Sequence, residues 1–254
     1  MSQNCLNCAS SELHNYCPNC GQKSTTHRYS IKHFIAHDLV HGVWHVDKGI
    51  LFTVLTLFTR PGHGVREFIQ GKRANYFSFV TLILLILSLT ALLAPYVPVK
   101  MADLVPDSSK ALMNDLNKFM TNYPKLVVII TIPVYALFSF LWFRKAKLNF
   151  SEHLVINSNR VIPELIISLV IAAISVFCTN KSILTFLYLV LPGVFSLSYS
   201  IWFYHQFFSA YNYSKKGLFF RSVLVPVSYF MLPFLIGIAL GILQVIKAGT
   251  IHPG

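Results

Sequence analysis

Four cysteines near the N-terminus carry the sharpest chemical signal in the chain. Cys5-x2-Cys8 and Cys17-x2-Cys20 form two knuckle-type pairs with eight residues between them. That spacing lets four thiolates close on one tetrahedral zinc ion. Pro18 and Gly21 suit the tight turn of the second knuckle, whereas the first has Ala9 where a glycine would stand. Four sulfur ligands leave no open coordination position, so the expected metal is a structural zinc. A redox pair or adventitious thiols are the alternatives. The fifth cysteine, Cys178, reads as a packing residue inside an apolar stretch.

A second set is rich in histidine. His33, His37, His41 and His45 recur every fourth residue. A helix over Ser30–Val46 therefore lines them along one stripe, with Ile31, Ile35, Leu39, Val43 and Val46 on the other face. Imidazoles at i, i+4 can chelate a transition metal, with Asp38 or Asp47 adding an oxygen. The same stripe suits pH sensing near neutrality, or a plain polar face at headgroup level. No His-Glu-x-x-His is present.

The third set is charged. Arg60, Arg66, Lys72 and Arg73 precede the first long apolar stretch, and Arg60-Pro61-Gly62 before a helix start is a candidate contact for a lipid headgroup or phosphate. Lys72 and Arg73 also serve simply to fix topology. Glu152 and His153 offer an acid and a base, although neighbours on a helix point in different directions. Glu164 is a candidate intramembrane carboxylate, a kind of group that is often functional. There is no Walker loop, dinucleotide fingerprint or Gly-x-Ser-x-Gly elbow, and no catalytic residue is assigned.

The elements that must position these residues are apolar. The chain has 254 residues, 54% hydrophobic and only 12% charged, with a mean hydropathy of +0.57, which makes a bilayer its natural solvent. Five stretches approach spanning length: Phe77–Val97, Leu126–Phe143, Val161–Cys178, Ile183–Phe203 and Val223–Val245. The third is the weakest, with Pro163 and Glu164 at its start, and with the fourth it forms a tight hairpin. Prolines 133, 163, 192, 226 and 233 predict kinked helices, and Gly237 and Gly241 a close-packing step. Before the membrane, Ile50–Thr59 is apolar but too short to cross, and Val65–Lys72 follows the Arg-Pro-Gly breaker as a short helix. The loop Pro98–Pro124 has room for a helix over Ala111–Met120. The expected organisation is a zinc ribbon over 1–24, cytoplasmic juxtamembrane helices over 25–75, and an all-α polytopic membrane bundle of about five transmembrane helices over 76–247.

Charge supplies the orientation. Lys and Arg number 21 against nine Asp and Glu. With Arg160 counted in the loop after the second span, fifteen of the basic residues fall on the N-terminal side and six on the other. The positive-inside rule then puts the N-terminus in the cytosol and the C-terminus outside. The polar start, without an apolar leader, agrees with a reducing compartment where paired cysteines bind metal. The basic surplus is thus topological. Few bases flank the ribbon and no aromatic stacking platform is evident, so nucleic acid is not an expected partner.

Three segments resemble an uncharacterised bacterial membrane-protein family, a domain of unknown function with a short zinc ribbon before a helical bundle. They are Trp44-His45-Val46-Asp47-Lys48-Gly49, the run from Thr53 through Leu57-Phe58-Thr59-Arg60-Pro61-Gly62, and Arg66-Glu67-Phe68-Ile69-x-Gly71-Lys72-Arg73-x-x-Tyr76. Glu152-His153-Leu154 is similar too, while Asn157–Arg160 departs from the aromatic, histidine-containing pattern expected there. The resemblance implies a bacterial inner-membrane protein and no particular activity. More distantly, five spans after a cytoplasmic region resemble Yip-type membrane-organising proteins. The expected function is non-enzymatic: a ribbon that is an adaptor or cap, contacting a protein partner, on a bundle that organises lipids or proteins. A transporter or ion pathway, or a metal-dependent enzyme on the histidine ladder, are the alternatives. Oligomeric state is not legible.

Overall fold

The structure is a computed structural model that describes residues 4–11, 14–24, 49–97, 101–104 and 122–251 except 179, with isolated positions between 106 and 119. The histidine ladder, Asp47 and most of the expected helix over Ala111–Met120 lie outside the described residues.

Three of the long helices begin where a side chain takes over unpaired N–H groups. Ser78 caps α3 (Phe79–Leu93), accepting from the Thr81 N–H. Asn149 and Glu152 form a reciprocal capping box at the start of α5 (Phe150–Phe177). Asn180 caps the fourth apolar helix, accepting from the Ser182 and Ile183 N–H groups. That helix, α6, runs Lys181–Phe208 and contains a π-turn at Phe186–Val190. Pro192 lies just beyond the turn, and the wider helix there accommodates a residue without an N–H. Two further helices are α4 (Pro124–Trp142) and α7 (Lys215–Ile251).

Among the described residues four helices are long and apolar enough to cross a membrane: α3 with its 3-10 extension to Tyr96, α4, α5 and α6. The fifth expected span falls within α7, which is helical throughout. Gly237 and Gly241 belong to the part of α7 whose packing lies outside the described residues. Large apolar side chains such as Leu89, Ile129, Ile130, Phe186 and Phe220 face outward, as a lipid-contacting surface requires. The α5–α6 connection is only residues 178–180, the expected tight hairpin, and α5 packs against α3, α4 and α6 at once.

The helix that contains the third apolar stretch is the main correction. It starts at Phe150, eleven residues before that stretch, and Asn157-Ser158-Asn159-Arg160 is buried helix rather than loop. Their polar character hides a helix whose polar groups are all turned inward. Arg160 therefore leaves the loop count, and fourteen basic residues remain on the N-terminal side against six.

Two short helices complete the described chain before the spans: α1 (Gly49–Thr59) and α2 (Pro61–Ile69). Pro61 is the first residue of α2, so the breaker opens this helix instead of preceding it. In α1 the polar Thr53 and Thr56 are buried with Leu57, while Leu51, Phe52 and Leu55 face outward. That inverted amphipathicity fits a helix held against protein on its polar side and against lipid on its apolar side.

Candidate functional site

The ribbon is two short turns. Cys5 and Ser10, and Cys17 and Gln22, close them by backbone hydrogen bonds of 2.9 and 2.8 Å. Gly21 has φ 72° and Ala9 φ 60°, so the alanine occupies a left-handed position that glycine fills more cheaply. The sulfurs of Cys5 and Cys20, and of Cys8 and Cys17, are 3.6 Å apart, and all four lie within 4.8 Å of one another. Thiolates bonded at about 2.3 Å to one tetrahedral centre sit about 3.8 Å apart, so the donor set fits a single metal ion.

The ribbon is seated on the bundle. Gln22, only 5% exposed, accepts through Oε1 from the N–H groups of Arg73 (3.0 Å) and Ala74 (3.3 Å). Leu6 covers Gly71, whose φ of 107° and lack of a side chain leave it room. Below, α1 and α2 form an elbow held by α6. Gly62 lies so close to Phe203, Gln206 and Phe207 that a Cβ there would come within 2.5 Å of their atoms, and its N–H donates to Gln206 Oε1 at 3.1 Å. Tyr199 donates to the Leu57 carbonyl at 2.9 Å. Thr53 Oγ1 accepts from the Phe77 N–H at 2.8 Å. Tyr76 donates to the Gly64 carbonyl at 3.0 Å, and burial pushes its hydroxyl up to about 12.

The four basic candidates do not converge on one site. Arg66 donates through Nη1 to the Gln206 and Phe207 carbonyls at 3.0 Å each, capping the C-terminus of α6. Its Nη2 lies 2.7 Å from His63 Nδ1. Because a guanidinium only donates, that nitrogen accepts and His63 is the neutral Nε2–H tautomer. Burial, helped by Arg66 and Arg60, lowers the His63 pKa from 6.5. Arg60 pairs with Glu67 at 3.2 Å on the surface. Arg73 donates to the Phe68 carbonyl and lies over its ring, and Lys72 is exposed.

The more distinctive arrangement is inside the helical bundle. His153, Asn157, Arg160 and Glu164 recur at i, i+4, i+7 and i+11, so α5 carries them as one stripe. Facing it are Thr131, Tyr135 and Ser139 of α4 and Ser196, Ser200 and Tyr204 of α6, each set spaced by four. The stripes interlock into a polar seam. Ser139 Oγ pairs with His153 Nδ1 at 2.8 Å, Asn157 donates to Ser139 Oγ at 3.0 Å, and Tyr204 donates to Asn157 Oδ1 at 2.6 Å. Arg160, with 0% exposure, donates to Glu164 Oε1 at 2.7 Å and to Ser200 Oγ at 2.8 Å. Its guanidinium lies 3.6 Å above the centre of the Tyr135 ring. Ser196 donates to Glu164 Oε1 at 2.6 Å.

Glu164, the candidate intramembrane carboxylate, is paired with Arg160. Glu152 spends its carboxylate on the capping box, and the neighbouring His153 turns to Ser139, so the two do not act on a common point. Of the seam, His153 and Glu164 were singled out in the sequence and Arg160 was noted beside Glu152 and His153 as a residue of the connection. Tyr135, Ser139, Asn157, Ser196, Ser200 and Tyr204 were missed, and the three- and four-residue recurrence of polar side chains in three adjacent apolar helices is the signal that finds them. Cys178 caps the end of α5, partly buried.

Fold and site together define an all-helical membrane protein whose small N-terminal ribbon brings together four cysteines that could hold a metal ion. Residues 47–90, which are the elbow and most of α3, match a family described as a protein of unknown function (DUF3667). No curated protein and no solved structure matches the chain. None of these comparisons supports the Yip-type resemblance.

Proposed function

We propose that this is a non-enzymatic membrane protein whose ribbon, holding one structural zinc ion, is a rigid cap on the cytosolic end of the bundle. The cap would present a surface to a cytosolic protein partner and transmit its docking to the spans. The seating of Gln22 on the Arg73 and Ala74 N–H groups carries this reading: a ribbon that was only a tethered adaptor would need no buried contact with the juxtamembrane turn. Soft thiolates in a closed tetrahedral set favour zinc among the available metals. The excess of basic residues on the ribbon side, together with the family resemblance, supports a bacterial inner membrane with the N-terminus in the cytosol and the C-terminus outside.

The test is metal content and amide exchange in the detergent-purified protein. The expected result is about one zinc per chain, lost in Cys17→Ser/Cys20→Ser, with the Arg73 and Ala74 amides exchanging about tenfold faster in that variant. Zinc loss without any change at those amides would defeat the cap, and a metal-free wild type would defeat the zinc as well.

A second reading, passage of an ion or solute through the bundle, is favoured by Glu164 at the edge of a cavity. Flux in proteoliposomes that Glu164→Gln leaves unchanged would count against it.

A further inference from the structure

The bases on the ribbon side of the bundle fall into two groups. Arg60 is paired with Glu67, and Arg66 and Arg73 direct their guanidinium groups to main-chain carbonyls. Five others gather in one corner, where the end of α4 meets the start of α7. The 3-10 turn Arg144–Ala146 brings Arg144 and Lys145 there, and the first turns of α7 bring Lys215, Lys216 and Arg221. Because Arg66 fastens the end of α6 beside α2, the α6–α7 turn sets this corner on the ribbon side.

Tyr213 holds the corner together. The Phe143 ring meets it edge-on, with centroids 5.5 Å apart and planes at 90°. Its hydroxyl lies against the main chain of Lys145 and Ala146. The Arg221 guanidinium stands 5.2 Å from the centre of the same ring, and donates to the Gly217 carbonyl at 2.9 Å. Arg144, Lys145, Lys215 and Lys216 are exposed. Among the described residues no carboxylate pairs with any of the five. Like charges gathered in this way repel one another, and a bound anion relieves that repulsion.

We propose that this corner binds the phosphate headgroup of an anionic phospholipid in the adjoining leaflet. Charge complementarity selects the anion, and the flank of the corner selects a lipid as its carrier. Phe219 and Phe220 follow the two lysines and face outward, Phe220 with 63% exposure. Trp142, at the end of α4, is partly exposed and donates its indole N–H to Ser228 Oγ of α7 at 3.1 Å. Aromatic side chains at the end of a span mark the headgroup level, where lysine and arginine reach phosphate with their stems on apolar surface. A free phosphate ion has no use for that apolar flank, whereas acyl chains cover it. Bases that only fix topology need no common platform. These come from two separate connections and meet around one tyrosine. The inference rests on the placement of the bundle in a bilayer and is independent of the ribbon and its metal.

The test uses the full chain in lipid nanodiscs, with Trp44→Phe and Trp202→Phe leaving Trp142 as the single tryptophan. Its fluorescence is quenched by phosphatidylglycerol or phosphatidylcholine with brominated acyl chains, each diluted into unbrominated phosphatidylcholine. Phosphatidylglycerol should be preferred beside Trp142 by about tenfold. That preference should vanish in Lys145→Gln/Lys215→Gln. It should persist in Lys23→Gln/Lys72→Gln, which removes the same charge from elsewhere on the ribbon side. All four lysines are exposed, so both variants should fold. Equal quenching by the two lipids would overturn the proposal. An equal loss in both double variants would also overturn it, since the preference would then be a diffuse effect of net charge. Displacement of the phosphatidylglycerol by millimolar inorganic phosphate at constant ionic strength would overturn the lipid as the ligand.

Discussion

The elbow beneath the ribbon and the seam inside the bundle use similar polar residues, yet their hydrogen bonds end in different places. In the elbow, Gln22, Thr53, Arg66 and Tyr199 each reach a backbone N–H or carbonyl that a turn or helix end leaves open, and Tyr76 adds a bond to the Gly64 carbonyl. Such bonds complete the main chain and fix how short pieces meet. In the seam, side chains satisfy one another from His153 to Ser196. The first pattern closes the main chain, whereas the second ties three helices together through their side chains. The match to the uncharacterised family covers the elbow and not the seam.

The sharpest way to break the comparison is Arg160→Met. Deleting one partner of a buried ion pair leaves Glu164 uncompensated, with an expected loss of about 3–5 kcal/mol of stability. Arg160→Met/Glu164→Met should recover much of that loss, and unfolding in detergent measures both. Gly62→Ala comes next. Its Cβ would collide with backbone atoms of Phe203 and Phe207, so α2 should lift from α6 at a cost of about 1–3 kcal/mol. Hydrogen exchange should rise in α1 and α2 and stay unchanged around Arg160. The smallest effect concerns His63. Its pKa is lowered in the fold, so the unfolded chain binds the extra proton first as pH falls. The elbow's stability is full above the ordinary value of 6.5 and declines as pH drops below it. Exchange in α2 should therefore quicken on acidification, and His63→Gln should remove that dependence.

Much of the architecture was legible because it rests on two strong signals, cysteine spacing and apolar length. Ser78 and Asn180 mark helix starts in the expected places, and the α5–α6 hairpin follows from a short polar gap. The start of α5 was hidden because hydropathy averages a helix over all its faces. Asn157-Ser158-Asn159-Arg160 looks like loop to a window, yet every one of these side chains is buried. Arg160 was therefore assigned to topology when its partner was Glu164, four residues on. The elbow's charges misled in the opposite way. Arg66 looked like a headgroup contact because its actual acceptors, the carbonyls of Gln206 and Phe207, lie 140 and 141 positions away. Nothing local announces a bond of that span.

The same distance bears on how the protein is made. The Tyr199 hydroxyl that holds the end of α1 is 142 residues downstream of Leu57, the residue whose carbonyl it meets. When α1, α2 and the ribbon emerge from the ribosome, the helix that will clamp them has yet to be synthesised. They must wait, with the apolar side of α1 already available to lipid, until three long helices have been made and α6 arrives. The N-terminal third of the chain is thus first in synthesis and last in assembly, and a truncation before Tyr199 should leave the ribbon folded around its metal on an undocked elbow.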